Sequence, residues 1–195
     1  MRRFVIVSHE LSAAADISLD DLPGTGRLDL LCRCLTSALL LSHDIREDVR
    51  VHLLVDGYEI FFDGSTLRRL NPDERSTAAR VRDALKLREN AIGAMEATAS
   101  PGVSIRKGTL ESVLDRFEEH TRIELHESGT PVADLEVPTN PLFVLSDHRD
   151  FTDAESTRLA ETVDARVSLG PYALHADQAI TVAHNYLDTD GFNTY

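Results

Sequence analysis

The stretch PLFVLSDHRDFTDAESTRLAETVDARVSLGPYALHADQAITVAHNYLD, residues 141–188, decides how the rest of the chain is read. It opens with an apolar run at 142–145, short enough to be a buried strand, and a polar turn. Thr152-Asp153-Ala154-Glu155 then has the spacing of a capping box and predicts the start of a helix. A second strand is expected at 165–168, followed by a Gly170-Pro171 loop. A closing helix carries Ala176, Ile180, Ala183 and Leu187 at helical spacing. The polar turn and the Gly-Pro loop both follow strand ends, and in an open α/β sheet ligands bind in crevices outside the carboxyl ends of strands. These two turns are the first place to look for a site.

Working outward, Phe4 to Val7 is a continuous apolar run, the pattern of a strand buried on both faces and central in a mainly parallel sheet. Polar, glycine-rich loop chemistry follows as far as Gly26. Gly24-Thr25-Gly26 is not a dinucleotide fingerprint: Asp29 stands where the third glycine would be, and no strand directly precedes it. Apolar residues then recur at helical spacing over 28–43 (Leu31, Leu35, Ala38, Leu39), and 49–55 reads as a second buried strand. Residues 59–67 read as a hairpin turning at Asp63-Gly64. Asn71 is expected to cap a helix running to about 87, with Pro72 at its first position and Glu74 reaching back to the cap. The stretch 89–101 has no clear period. Ser100-Pro101-Gly102 leads into a strand at 103–106, a helix at 109–120 buries Leu110, Val113, Leu114 and Phe117, and a strand at 122–126 is ended by Glu127-Ser128-Gly129. Strands alternating with helices predict an α/β fold with a mainly parallel sheet, as a single domain over residues 1–195.

Composition sets the outer limits. At 195 residues with 42% hydrophobic content the chain can bury a real core, and no apolar run approaches the ~20 residues of a membrane helix. His9 and Glu10 interrupt the first apolar run before a signal sequence forms, so no targeting segment and a cytoplasmic location are expected. Cys32 and Cys34 sit one residue apart on a helix, point to different faces and cannot close an unstrained disulfide, which suits a reducing compartment. The histidines are scattered without zinc-ligand spacing, so no metal is expected.

The charge balance is unusual. Asp and Glu number 33 against 20 Lys and Arg, a net charge of -13, and only Lys86 and Lys107 are lysines. Nucleic-acid binders generally carry a basic footprint. At molar salt, however, the Debye length falls to about 3 Å, long-range repulsion from phosphate nearly vanishes, and individual arginines can still grip phosphate. A salt-loving source is therefore expected.

Phe143-Val144-Leu145-Ser146-Asp147-His148, then Ser168-Leu169-Gly170-Pro171, then a helix ending Tyr186-Leu187-Asp188, resemble the cofactor-binding end of the SPOUT superfamily of RNA methyltransferases. Further motifs are similar, in order, to the archaeal tRNA pseudouridine-54 N1-methyltransferase family. They are Arg3-Phe4-Val5-Ile6-Val7-Ser8-His9, Gly26-Arg27-Leu28-Asp29, Ser42-His43-Asp44-Ile45-Arg46 and Asn71-Pro72-Asp73-Glu74-Arg75-Ser76. The resemblance implies S-adenosylmethionine as cofactor, tRNA as partner, a homodimer with the last helix at its interface, and a C-terminal trefoil knot over about 121–190. It implies methyl transfer to N1 of pseudouridine in the T-loop. Two alternatives stay open: a SPOUT enzyme acting on another RNA, such as a ribosomal pseudouridine, and a catalytically silent RNA-binding paralogue.

Carried over residue by residue, the resemblance places the cofactor in three strand-end loops, at 125–129, 146–148 and 169–175. Leu125, Leu169 and Leu174 would pack the adenine, with Ser146, Asp147, Gly170, His175 and Ala179 completing the site. Ser146 stands where glycine is commoner, and Ala179 where many relatives have cysteine, so no thiol is required at that place. A second constellation is Asp29, Arg33, Arg46 and Asp48. Asp29 or Asp48 would take the N1 proton, while Arg33 and Arg46 stabilise the anion and grip phosphate. The plainer reading of these four is a helix-end ion-pair network. Arg75, in the PDERS run, is a further candidate for RNA phosphate, whereas Arg80 and Arg82 read as a solvated helix face.

Overall fold

The computed structural model describes residues 1–92 and 95–194. In chain order it has β1 (Arg2–Ser8), α1 (Leu28–Leu39), β2 (Val49–Val55), β3 (Tyr58–Asp63), α2 (Glu74–Leu85), β4 (Ala97–Ser100), β5 (Val103–Lys107), α3 (Leu110–Arg116), β6 (Thr121–Pro131), β7 (Pro141–Ser146), α4 (Asp153–Thr162), β8 (Ala165–Ser168) and α5 (Ala176–Asp188). One eight-stranded sheet runs in the order β4-β5-β3-β2-β1-β7-β6-β8. The five strands β2, β1, β7, β6 and β8 are mutually parallel, and β3, β5 and β4 extend the sheet antiparallel on one edge. The fold is α/β with a mainly parallel sheet, as expected.

β1 is central because its side chains suit no other place. Phe4, Val5 and Ile6 are fully buried, and each such side chain contributes roughly 1.5–3 kcal/mol over its exposed state. Phe4 and Ile6 face one layer, built on α1, α2 and α5. Val5 and Val7 face the other, where Val113 and Leu114 of α3 and Leu159 of α4 close the core. Cys32 and Cys34 are both buried and unbonded, and burial pushes both thiols far above their ordinary range.

Several local expectations shift. The hairpin between β2 and β3 turns at Asp56-Gly57, whose φ values of 48° and 80° are both left-handed, the requirement of the tight turn whose twist matches its strands. Asp63-Gly64 ends β3 instead of turning it. Asp73, not Asn71, caps α2 by accepting the Ser76 N–H at 2.7 Å, so Asn71 and Pro72 precede the helix. α1 stops at Leu39 and α3 at Arg116. β4 occupies part of the stretch 89–101, of which residues 93–94 lie outside the described residues. Glu127-Ser128-Gly129 does not end β6. The strand continues to Pro131, its register with β8 slipping between Leu125 and Thr130. Gly129 is required there, since a β-carbon would lie 2.4 Å from the Val167 backbone.

Candidate functional site

β7 and β8 end on the same side of the sheet, beside the middle of β6 and the first turn of α5. Between them lies a cavity of about 320 Å³, within the roughly 300–1,000 Å³ of small-molecule sites. Leu125, Leu169, Leu174 and Ala179 supply its apolar wall; Ser146, Asp147, Gly170 and His175 line the remainder. All eight residues expected of a cofactor site therefore meet in one place. Phe151, Tyr172 and His126 join them. Tyr172 and Leu174 are exposed at 81% and 39%, an apolar rim beside the opening.

The turn after β7 is fastened at several points. The Asp147 N–H continues the β1–β7 ladder to the Val7 carbonyl at 3.1 Å. Its side chain is 1% exposed and accepts the His9 backbone N–H at 2.7 Å and the Arg149 N–H at 2.9 Å. The Ser146 hydroxyl donates to the Arg149 carbonyl and lies 3.3 Å from His9 Nδ1, which gives this departure from glycine a use in closing the turn. His9 reaches Asp147 Oδ1 at 3.2 Å through Nδ1 and Glu155 Oε2 at 2.9 Å through Nε2. Glu155 belongs to the capping box of α4, as the sequence predicts. Burial works against a charge on His9, but the hydrogen bonds with Glu155 and Asp147 outweigh it and raise the imidazole above its ordinary pKa. Glu10 pairs with His148 at 3.2 Å and with Arg149.

The constellation expected around α1 divides in two. Asp29 is buried and takes two bonds from Arg27, at 3.0 and 3.2 Å, and one from Arg33 at 3.1 Å. Burial pushes its carboxyl up, but the two guanidinium groups prevail and hold it below the usual carboxylate range. Arg33 also meets Glu74 at 2.9 Å and, at 3.7 Å, Asp177 in the first turn of α5, next to the cavity. Arg46 and Asp48 lie elsewhere. Arg46 pairs with Asp188 at 2.6 Å, Asp188 with Arg2 at 2.7 Å, and Arg2 with Asp48 at 3.1 Å. That chain sits at the amino end of β1, a strand length of roughly 20 Å from the cavity end. Arg75 is 63% exposed and paired with Asp20 at 2.5 Å. Arg80, expected on a solvated face, instead clamps the Arg68 and Arg69 carbonyls at 2.8 and 2.7 Å. Arg82, the other residue of that face, lies 3.5 Å from Asp83.

Sequence reading missed His9, Glu155 and Asp177 beside the cavity and Arg27 as the partner of Asp29. His9 carried one signal, a polar residue directly after the central strand. Its bonding partners lie 138 and 146 positions away, and no local pattern encodes that. Among the described residues no cluster of His, Cys, Asp and Glu is arranged to hold a metal, and no helix is long and apolar enough to cross a membrane.

Comparison with known proteins gives three findings. Residues 1–192 match the family of SAM-dependent RNA methyltransferases. The chain is 60% identical, over the full length of both proteins, to the tRNA (pseudouridine(54)-N(1))-methyltransferases of Haloferax volcanii and of Natronomonas pharaonis. Among solved structures, Archaeoglobus fulgidus Nep1 bound to S-adenosylhomocysteine superposes with a TM-score of 0.65 over 96% of this chain and 97% of that one, at 16% identity, a likeness of fold.

Proposed function

The chain belongs to the family of SAM-dependent RNA methyltransferases, and from that premise we propose that it methylates N1 of pseudouridine 54 in tRNA. The observation that carries the reading is the cavity at the carboxyl ends of the parallel strands, where all eight expected cofactor residues meet. Its chemistry fits S-adenosylmethionine. Leu125, Leu169 and Leu174 offer an apolar slot for adenine, and the Asp147 backbone and the His175 side chain offer polar ends. Gly170 leaves open space where a side chain would intrude. When bound, the cofactor supplies an electrophilic methyl group on a sulfonium leaving group.

The residues of the chain bind and orient. The turn 146–151 and the loop 169–175 hold the donor from two sides, and the first turn of α5 forms the floor. Pseudouridine, joined to ribose through carbon, presents an N1–H on its open edge, and that proton must leave as the methyl group arrives. Asp29 does not line the cavity and is linked toward it only through Arg33 and Asp177. Held below the ordinary carboxylate range, it is a weaker base than a free carboxylate and a firm anchor for two arginines. We assign Arg27 and Arg33, so anchored, to the phosphate or to the developing anion of the base. Arg46 and Arg75 are assigned to more distant RNA contacts, while Asp48, the other candidate base, is paired with Arg2 at the opposite end of the sheet and is given no part in removing the proton at this cavity.

A homodimer and a cytoplasmic location belong to the same reading. The exposed Tyr172 and Leu174 at the amino end of α5 support an interface there. The C-terminal knot also belongs to it, and the packing around α5 supports this. The Tyr186 hydroxyl donates to the Leu135 carbonyl at 2.7 Å, so the chain after β6 packs against the last helix.

The test is methyl transfer from labelled cofactor to a tRNA T-arm transcript carrying pseudouridine at position 54, beside the same transcript carrying uridine. Uridine has its glycosidic bond at N1 and no proton there, so only the pseudouridine transcript should be labelled. Equal labelling of both would reject the assignment.

A further inference from the structure

His9 bridges two elements beside the cavity. Its ring touches both ends of the segment that walls one side of the cavity: Asp147, where β7 ends, and Glu155, in the first turn of α4. Between them lie residues 148–151, all of which line the cavity. The ring is 12% exposed, Asp147 1% and Glu155 23%, so water competes little for these contacts.

The proton count follows from the partners. Asp147 and Glu155 are both acceptors, and an imidazole donates from both nitrogens only when protonated. A neutral ring satisfies one carboxylate and turns a lone pair toward the other. Asp147 Oδ1 also holds the Arg149 N–H, and Glu155 Oε2 holds both the N–H and the hydroxyl of Thr152. Slackening either contact therefore loosens the turn at its own anchor. The other charged groups nearby are Glu10 on the chain leaving β1, with His148 and Arg149 on the turn. Glu10 pairs with both, and His148 Nδ1 also stands 3.6 Å from Asp147 Oδ1, so this cluster adjoins the carboxylate that His9 holds. Phe151, which lines the cavity, lies edge-on to the His9 ring with centroids 6.5 Å apart.

We propose that His9 is a positioning residue for the cofactor: as an imidazolium it staples Asp147 to Glu155, fixes the turn 146–151 as a wall of the cavity, and makes cofactor affinity depend on its own protonation. The inference rests on the cavity being the cofactor site. The sense of the dependence is fixed by the two carboxylates. They favour the charged ring, in line with the raised pKa of His9, so affinity is full in mildly acidic solution and declines as pH rises through the titration of the ring.

The experiment measures S-adenosylhomocysteine affinity by calorimetry in molar KCl, in half-unit steps between about pH 5.5 and 8.5, bracketing the unperturbed histidine value of about 6.5. NMR of the ring protons follows the titration of His9 in parallel. Wild-type affinity should fall by about tenfold, the scale of one hydrogen bond to a charged group, with a midpoint matching that titration. His9→Gln, which cannot be protonated, should bind with the weaker affinity at every pH. Glu155→Gln removes one carboxylate and should move the midpoint to lower pH, a displacement that a purely structural role for His9 would not produce. His148→Gln, which removes the 3.6 Å neighbour of Asp147 but neither contact of the His9 ring, should keep a midpoint that still follows the His9 titration. Wild-type affinity independent of pH, or a His9→Gln protein that keeps the wild-type midpoint, overturns the proposal while leaving the cofactor site in place. Absence of wild-type binding at any pH overturns the cofactor reading of the cavity and this inference with it.

Discussion

Substituting Gly170 separates occupancy of the cavity from stability of the fold. The glycine lines the cavity, a β-carbon placed on it would meet no atom within 4 Å, and its φ is not left-handed. Alanine should therefore fold at least as well, with a stability change within about 1 kcal/mol, and in the direction of stabilisation because the unfolded chain loses freedom. Leucine introduces four carbons. At about 30 Å³ each, the share of liquid volume that a water takes, they fill roughly 120 Å³, more than a third of the 320 Å³ available. A ligand the size of S-adenosylhomocysteine cannot share the space that remains. Its affinity should fall at least about 100-fold for Gly170→Leu, equivalent to about 2.7 kcal/mol, and by less than about threefold for Gly170→Ala. Calorimetry reports the affinity, and thermal melting without ligand reports the fold. A folded Gly170→Leu protein that binds S-adenosylhomocysteine like the wild type would refute the placement of the cofactor.

Other predictions address the remaining charges. Glu59 is fully buried and held by Arg106, Arg116 and His52, so Glu59→Gln should lose about 3 kcal/mol in urea denaturation, the lower part of the range for breaking a buried ion pair because Arg116 is partly solvated. Burial pushes the Glu59 carboxyl up, but the bonds from His52 and the two guanidinium groups prevail and hold it well below its ordinary value. Its stabilisation is thus present above about pH 4.3, the unfolded value, and lost as pH falls below it; the Gln variant should lack that acid slope. Asp29→Asn leaves Arg27 and Arg33 without their anchor, so its defect should show first in KM for tRNA. A drop of about 10²–10⁴ in kcat with KM unchanged would restore Asp29 as the general base. The melting temperature should rise as KCl goes from millimolar to molar, because a net charge of -13 repels itself until it is screened; a falling curve would remove that account of the acidity.

How far the sequence could be read follows from the range over which each feature is encoded. β1, β7 and the capping box of α4 were legible because a strand buried on both faces needs a continuous apolar run and a cap needs particular side chains three residues apart; β2 and β8, broken by Arg50, His52 and Arg166, were legible from their β-branched residues and flanking turns. The hairpin expected within 59–67 was misplaced because two Asp-Gly pairs, at 56–57 and 63–64, carry the same local signal. Only pairing decides between them: turning at 56–57 sets His52 opposite Phe61 and Leu54 opposite Glu59. β6 was cut short for a related reason. Gly129 reads as a breaker, yet it is a glycine because the Val167 backbone passes against it, a contact formed only once β8 has paired.

The site divides along the same line. Residues that line the cavity come from loops next to strand ends, which sequence can locate. Residues that orient them act across the fold, and the constellation around α1 failed as a single unit for that reason. Asp29 and Arg33 are one helical turn apart and do meet. Arg46 and Asp48 follow the far end of α1 and join Arg2 and Asp188 instead. His184, in the same region, accepts from Arg2 at 3.0 Å and donates to the Ala38 carbonyl, and burial drives its pKa down to about 3. It is therefore a neutral link between β1, α1 and α5 at the amino end of the sheet, while His9 at the carboxyl end is biased toward charge by two carboxylates. Both histidines stand at or near the ends of buried elements, and the sequence alone treats them alike. What separates them is the identity of groups more than a hundred residues away, so the proton that organises the cavity could be assigned only after the strands had been paired.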